Sequence, residues 1–462
     1  MSALSLKATW NYDPLPALDQ TSLAYVLVDI SEKQAADGSQ EGAAPSAGSG
    51  QAPGPQSSSL NLSLVLDTSG SMGGAKLQNL KQAVNWLVDH LGERDTLAIT
   101  LFDDEVHPLT GSTTLHDRDA LHAQIDGIRE AGGTAMSKGL LVGLDEAMKG
   151  RKDGVVSRIV VLTDGQTWGD AERCEQLARQ AGAAGIPVTA LGIGAEEDWS
   201  IELLDSLATE SGGESGYIAK PEEIAGAFEE TLRSMKATTY QSLRLTFNPA
   251  GGVQPRAIYR VAPIISRLWP AQQAQQDGDV AATPQTGGAA TAITLPLGDL
   301  QPGAGQTLLY ELVLPARKPG QYRLAHLLLD YEQTGGTTGK HDTALDLVVT
   351  FAGGAAKGPG DPRVMNHVER ATTFKLQTRA LQASLLGDVA GATRNLQAVA
   401  TRLLNMGETE LAEEAQRQAV RVEQQGSMSA AGTKKLAYDT RKLSVSETMI
   451  LRDELRITNY ES

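Results

Sequence analysis

The sequence predicts a doubly wound α/β domain inserted in an all-β sandwich and followed by a C-terminal α-helical domain. Three observations carry that reading. Between Leu60 and Lys236 short apolar runs alternate with stretches of helical period, the pattern of a mainly parallel sheet covered on both faces. From Tyr240 to Phe351 the period drops to two, in runs parted by Gly and Pro turns, which is the spacing of a sandwich. From Asp361 onward Val364, Val368, Ala371 and Phe374 restore a helical repeat.

Taken in order, Leu4 to Tyr12 and Ser22 to Ile30 read as strands. They have no partner in the α/β stretch, so they are assigned to the sandwich, whose chain the α/β domain then interrupts. Residues 32–59 collapse into Ala, Gly, Ser, Pro and Gln, too poor in large apolar side chains to offset ordering entropy, and are expected to form a disordered linker. The α/β stretch gives strands at Leu60–Leu66, Thr96–Phe102, Arg158–Thr163, Val188–Ile193 and near Tyr217. Helices are expected at Lys76–Leu91, Asp119–Ile128, Met136–Met148, Asp170–Ala184, Ile201–Ser211 and Pro221–Met235. The last opens on Pro221 with Glu222 and Glu223 in its first turn, a favourable helix start.

Six alternating runs then supply sandwich strands: 241–249, 255–263, 292–300, 306–316, 321–333 and 343–352, with a polar insert at 271–290 read as a disordered loop. Beyond them, further helices are expected at Val389–Leu404, Thr409–Gln424 and Ser429–Leu443, punctuated by Gly387, Gly407 and Gly426. The default packing for these is a compact bundle on the sandwich or one presented for assembly. The divisions are therefore 1–31 (first sandwich strands), 32–59 (linker), 60–237 (α/β domain), 238–353 (sandwich), 361–445 (helical domain) and 446–462 (tail).

The chemistry gathers where the first α/β strand ends. Leu60–Gly73 reads LNLSLVLDTSGSMG, a buried strand running into a polar Gly/Ser loop with the pattern D-x-S-x-S at Asp67, Ser69 and Ser71. In open α/β sheets ligands sit outside the carboxyl ends of the strands. Two later segments repeat the pairing of oxygen-bearing side chains with glycine: Gly132-Gly133-Thr134 at the opening of a helix, and RIVVL running into Thr163-Asp164-Gly165. Asp67, Ser69, Ser71, Thr134 and Asp164 are hard oxygen donors, suited to Mg²⁺, Mn²⁺ or Ca²⁺ far better than to zinc or copper. With two carboxylates and three hydroxyls, the ion would stay electron-poor and invite an external anionic oxygen. A nucleophile elbow does not fit, because G-x-S-x-G is not met at Ser69 or Ser71. Phosphoryl transfer through Asp67 lacks a second acid or base beside it.

D-x-S-x-S, a GGT-type threonine and a strand ending T-D-G together resemble the von Willebrand factor type A (VWA) domain with its metal-ion-dependent adhesion site, over roughly Leu60 to Lys236. The resemblance implies a Rossmann-like fold. It implies that Ser69 and Ser71 bind the metal directly and that Thr134, Asp67 and Asp164 bind it directly or through water. It also implies that a partner's carboxylate fills the vacant coordination position. Related bacterial proteins resemble the insertion layout, and intracellular relatives are often associated with AAA+ ATPases or protein-modification systems. The function expected is divalent-metal-dependent protein binding and assembly, not enzymatic. The alternative is a Mg²⁺-dependent phosphoester hydrolase, which requires a general base or second metal near the first.

Composition narrows the partners. A formal net charge of -16, with no basic stripe, argues against nucleic acid and against an anionic membrane surface. No apolar run reaches the ~20 residues of a spanning helix. The lone Cys174 fits a reducing compartment and is expected to be a small buried residue; with no secretory pattern at the start, a cytoplasmic location is expected. His107, His116, His122, His326, His341 and His367 are scattered without zinc spacing and read as surface or satisfied residues. Trp168 reads equally as a contact residue beside the metal loop or as a core plug. Asp103, Asp104 and Glu105 read as a solvated acidic loop.

Overall fold

The computed structural model describes residues 3–33, 59–164, 169–194, 201–270, 291–334, 339–353 and 360–443. Most of the expected linker, the 271–290 insert, the tail and Trp168 lie outside the described residues. The chain enters through β1 (Leu4–Trp10), β2 (Leu15–Ala17) and β3 (Ser22–Glu32). The α/β domain follows as β4 (Leu60–Asp67), α1 (Ala75–His90), β5 (Thr96–Phe102), β6 (Val106–Thr114), α2 (Arg118–Asp126), α3 (Met136–Gly150) and β7 (Val156–Thr163). It continues with α4 (Ala171–Ala183), β8 (Val188–Ile193), α5 (Ile201–Ser211), β9 (Ser215–Ile218) and α6 (Ile224–Ala237). Its sheet has the order β6-β5-β4-β7-β8-β9, parallel except for β6, which pairs antiparallel with β5.

β6 is absent from the sequence reading. Its run, VHPLTGSTT, holds a proline and a glycine and only two large apolar residues, and no position in it is fully buried, as an edge strand permits. The central strand β4 is buried throughout. Its Leu60, Leu62, Leu64 and Leu66 share one core with α1 and α6, whereas Val65 joins Ile159 and Val161 in the opposite core under α3, α4 and α5. Helix α3 packs closely on the sheet through two glycines of its facing side. A Cβ on Gly143 would come 2.2 Å from Val65 Cγ2, and one on Gly139 would come 2.8 Å from the Phe102 ring. Ser63 Oγ donates to Gly143 O at 2.8 Å and Asn61 Nδ2 to Ala147 O at 2.8 Å, which fixes the helix along β4. The residues just before α3 are thereby held beside the end of β4.

The sandwich is built from β10 (Tyr240–Pro249), β11 (Gln254–Ala262), β12 (Ser266–Trp269), β13 (Ile293–Leu300), β14 (Gln306–Leu314), β15 (Gly320–Gln333) and β16 (Gly339–Gly353). Two five-stranded sheets form, β1-β3-β14-β11-β12 and β13-β10-β15-β16-β2. The chain before the α/β domain thus completes both sheets: β3 pairs along its length with β14, and the short β2 crosses to lie parallel with β16. The α/β domain is inserted in the sandwich, as the unpartnered N-terminal strands imply.

The helical domain comprises α7 (Pro362–Leu385), α8 (Val389–Asn405), α9 (Thr409–Gln425) and α10 (Ala430–Arg441). It packs on both other parts. Val364, Val368 and Ala371 of α7 bury against Leu27, Tyr259 and Leu309 of the sandwich, while Leu381, Ala437 and Tyr438 enter the α/β core under α4 and α5. Arg441 ties the three parts together: its guanidinium contacts Asp205 of α5, its Nε donates to Ile265 O at 3.2 Å, and its own carbonyl accepts from Ile265 N at 3.0 Å.

Candidate metal centre

β4 lies between β5 and β7, so the sheet's strand order reverses beside it, and the carboxyl ends of β4 and β7 are where open sheets of this kind form their ligand crevice. Asp67 ends β4, Thr163 ends β7 and Asp164 follows it, with Leu66 and Leu162 paired in register one residue earlier. The loop after β4 is stitched to its neighbours by backbone bonds: Thr68 N to Phe102 O at 2.9 Å, Ala131 N to Thr68 O at 2.8 Å and Gly70 N to Gly132 O at 3.2 Å. A 3₁₀ turn, Gly70–Met72, is anchored by the fully buried Met72. Ser69 is therefore held inside and Ser71 outside.

Asp67, Ser69, Ser71 and Asp164 are joined by hydrogen bonds. Ser69 N donates to Asp67 Oδ1 at 2.8 Å, the Ser69 and Ser71 hydroxyls are 3.1 Å apart, and Ser71 Oγ donates to Asp164 Oδ1 at 2.7 Å. Thr134, half-buried, enters on the 131–135 segment that is bonded to Thr68, Gly70 and the Asp103 carbonyl. The glycines before it pack against the Asp104 side chain. A Cβ on Gly133 would come 2.5 Å from Asp104 Oδ1 and one on Gly132 2.8 Å from Asp104 Oδ2, and Gly132 also has φ +60°. Among the described residues no three of His, Cys, Asp and Glu converge as metal ligands.

Asp67 and Asp164 are both fully buried. Burial pushes the Asp67 carboxyl above its ordinary range; bonds from Ser69 and from Thr163 oppose this, and the charge of Asp164 adds to it. A site of this kind gains from a cation that compensates both carboxylates.

Sequence reasoning missed two groups here. Thr163 Oγ1 donates to Asp67 Oδ2 at 2.5 Å and holds that oxygen across the crevice. The Lys76 ammonium contacts Asp164 Oδ2 and donates to the Ser71 carbonyl at 3.3 Å. The signal for Lys76 lay in its position: it is a basic residue in the first turn of α1, where the helix dipole disfavours positive charge. The acidic loop also needs correcting. Asp104 and Glu105 are exposed, but Asp103 is buried and accepts from Glu105 N at 2.8 Å, a local turn that shapes the strand end. Cys174 is buried, and its thiol is pushed up by that burial. His367, read as surface or satisfied, is buried with Nδ1 lacking a partner among the described residues.

A multidomain chain with an oxygen-lined crevice at the switch point of a parallel sheet is the class of protein that fold and site define. Residues 61–230 match the von Willebrand factor type A domain, and residues 362–446 match the Sll0103-like, C-terminal alpha-helical domain. The uncharacterized protein sll0103 of Synechocystis sp. is 30% identical over 344 residues, covering 74% of this chain and 78% of that one. The chain belongs to the VWA family, whose domains commonly mediate protein–protein interaction. In fold it is similar to a von Willebrand factor type A protein from Catenulispora acidiphila, with TM-score 0.72 and 16% identity over 96% of this chain and 97% of that one. It is also similar to the ArnB paralog VWA2 from Sulfolobus acidocaldarius, with TM-score 0.53 and 13% identity over 95% of this chain and 98% of that one.

Proposed function

We propose that the VWA domain binds a divalent cation, Mg²⁺ in the first instance with Mn²⁺ or Ca²⁺ as substitutes, through Asp67, Ser69, Ser71, Thr134 and Asp164. Through that ion it captures a carboxylate on a protein partner. The observation that carries this reading is the continuous bonding of Ser69, Ser71 and Asp164, with an ammonium on the remaining Asp164 oxygen standing where a cation is wanted. Neutral hydroxyls leave such an ion electrophilic, so a partner's anionic oxygen gains most by completing its shell.

Binding is favoured over phosphoester hydrolysis by how the carboxylates are used. Asp67 accepts from Ser69 N and Thr163, and Asp164 from Ser71 and Lys76, so each of their four oxygens already holds a proton donor. In this reading both carboxylates are committed to the cation, which leaves neither as the general base that hydrolysis needs. We place the protein in the cytoplasm because its single cysteine, Cys174, has no partner for an intramolecular disulfide; by analogy with the family, its partners belong to protein assembly, including AAA+ ATPases and protein-modification systems.

The test is calorimetric titration of the full chain with Mn²⁺, followed by retention of lysate proteins in Mg²⁺ against EDTA, with Asp67→Ala as control. Heat of binding and metal-dependent retention lost in the variant are the expected result. Turnover of generic phosphate esters that vanishes in Asp67→Ala would favour the hydrolase instead.

A further inference from the structure

We propose that Lys76 is a built-in counter-cation that competes with the divalent ion for Asp164, so that the site exchanges between a lysine-closed and a metal-open state. This rests on the metal reading above and concerns what regulates that site.

The Lys76 ammonium holds the one Asp164 oxygen that Ser71 leaves open. It is not placed there by its helix. Lys76 lies in the first turn of α1, no acidic residue shares that turn, and the positive end of the helix dipole repels an ammonium. Attraction to a fully buried carboxylate is what holds it. The lysine side chain is itself 20% exposed, and its four-carbon stem can carry the charge out to water without moving the helix.

Charge makes the two states exclusive. Asp67 and Asp164 offer two negative charges, of which Lys76 compensates one. A divalent ion compensates both, and the lysine would then be a surplus like charge beside it in a partly buried crevice. The apparent affinity for the ion is reduced in proportion to the closed fraction. Loss of the charge at position 76, by substitution or acylation, removes that competition.

The experiment compares wild type, Lys76→Met and Lys76→Arg as full chains, titrated with Mn²⁺ by calorimetry. Lys76→Met is expected to bind about tenfold tighter or more, and Lys76→Arg close to wild type. In parallel, acetic anhydride labelling read by mass spectrometry should show Lys76 protected without metal and several-fold more reactive in Mn²⁺. Equal or weaker binding by Lys76→Met, with labelling of Lys76 unchanged by Mn²⁺, would overturn the competition and leave the metal site standing. Binding to Lys76→Met alone would support a closed state that dominates in the wild type. No binding to any of the three would overturn both the competition and the proposed function.

Discussion

β7 ends in a buried aspartate–cation pair and begins in another, and the two differ in a way that separates architecture from function. At the carboxyl end Asp164 faces Lys76, a point charge on a flexible stem open to solvent. At the amino end Arg158 meets Asp299 of β13 at 2.9 Å, with side chains only 8% and 6% exposed. There Asp299 also accepts from Ser242 N at 3.2 Å, and Arg158 donates to Ser234 Oγ of α6 at 3.5 Å. The guanidinium is rigid and both partners are enclosed, so this pair clamps the VWA domain to the sandwich. A lysine with an exit to water suits exchange; an arginine without one suits permanence.

The largest expected effect tests the clamp. Arg158→Met strands Asp299 as an uncompensated buried charge and should cost about 3–5 kcal/mol in chemical unfolding. The double variant Arg158→Met/Asp299→Leu should recover most of it, and failure to recover would mean that the guanidinium's packing matters more than its charge.

The other end should respond to ions instead. Mn²⁺ at a hundred times its dissociation constant is expected to stabilise the chain by about 2.7 kcal/mol, with EDTA reversing the shift in melting temperature. Asp67→Ala should keep the folded far-UV spectrum and lose that shift, since the residue sits at a strand end and its removal leaves orphaned donors worth about 1–3 kcal/mol. A global loss of the spectrum would make the aspartate architectural, like Asp299.

His367 sharpens the contrast as a buried ionisable group with no counter-charge role. Burial first, then the nearby Arg370 and Arg363, lowers its pKa to about 4, with Asp29 opposing. The unfolded chain therefore takes up this proton near pH 6.5 and the folded chain only near pH 4. Its contribution to stability is complete above pH 6.5, falls as pH drops through that window, and amounts to about 2 kcal/mol lost between pH 7 and pH 5. Thermal melts of His367→Gln across the same window should be flatter than wild type.

The smallest effect belongs to Lys76. Without metal, Lys76→Met should change unfolding free energy by about 1 kcal/mol or less, because the crevice admits water to Asp164 once the lysine is gone. A cost equal to that of Arg158→Met would erase the difference between the two ends of the strand.

Much of this was decided by the sequence itself. Leu60, Leu62 and Leu64 alternate along a strand, Thr96–Phe102 and Val188–Ile193 have the bounds their apolar runs imply, and D-x-S-x-S, Thr134 and Asp164 sit on loops whose chemistry is local. The unpartnered N-terminal runs were enough to imply the insertion. Periodicity and turn chemistry act over a few residues, so a single chain displays them.

What only the tertiary structure decided involves groups distant in sequence or weak in pattern. β6 is an edge strand without strong alternation, and β2 is three residues long, so neither carries a signal above its surroundings. Asp103 is polar in sequence and buried in space. Lys76 meets Asp164 across 88 positions, Arg158 meets Asp299 across 141, and Arg441 meets Asp205 across 236. Each cation reads in sequence as one more solvated charge. The choice of which became a clamp and which an exchangeable occupant follows from burial and side-chain reach, and both exist only after the parallel sheet has set strand ends beside helix starts.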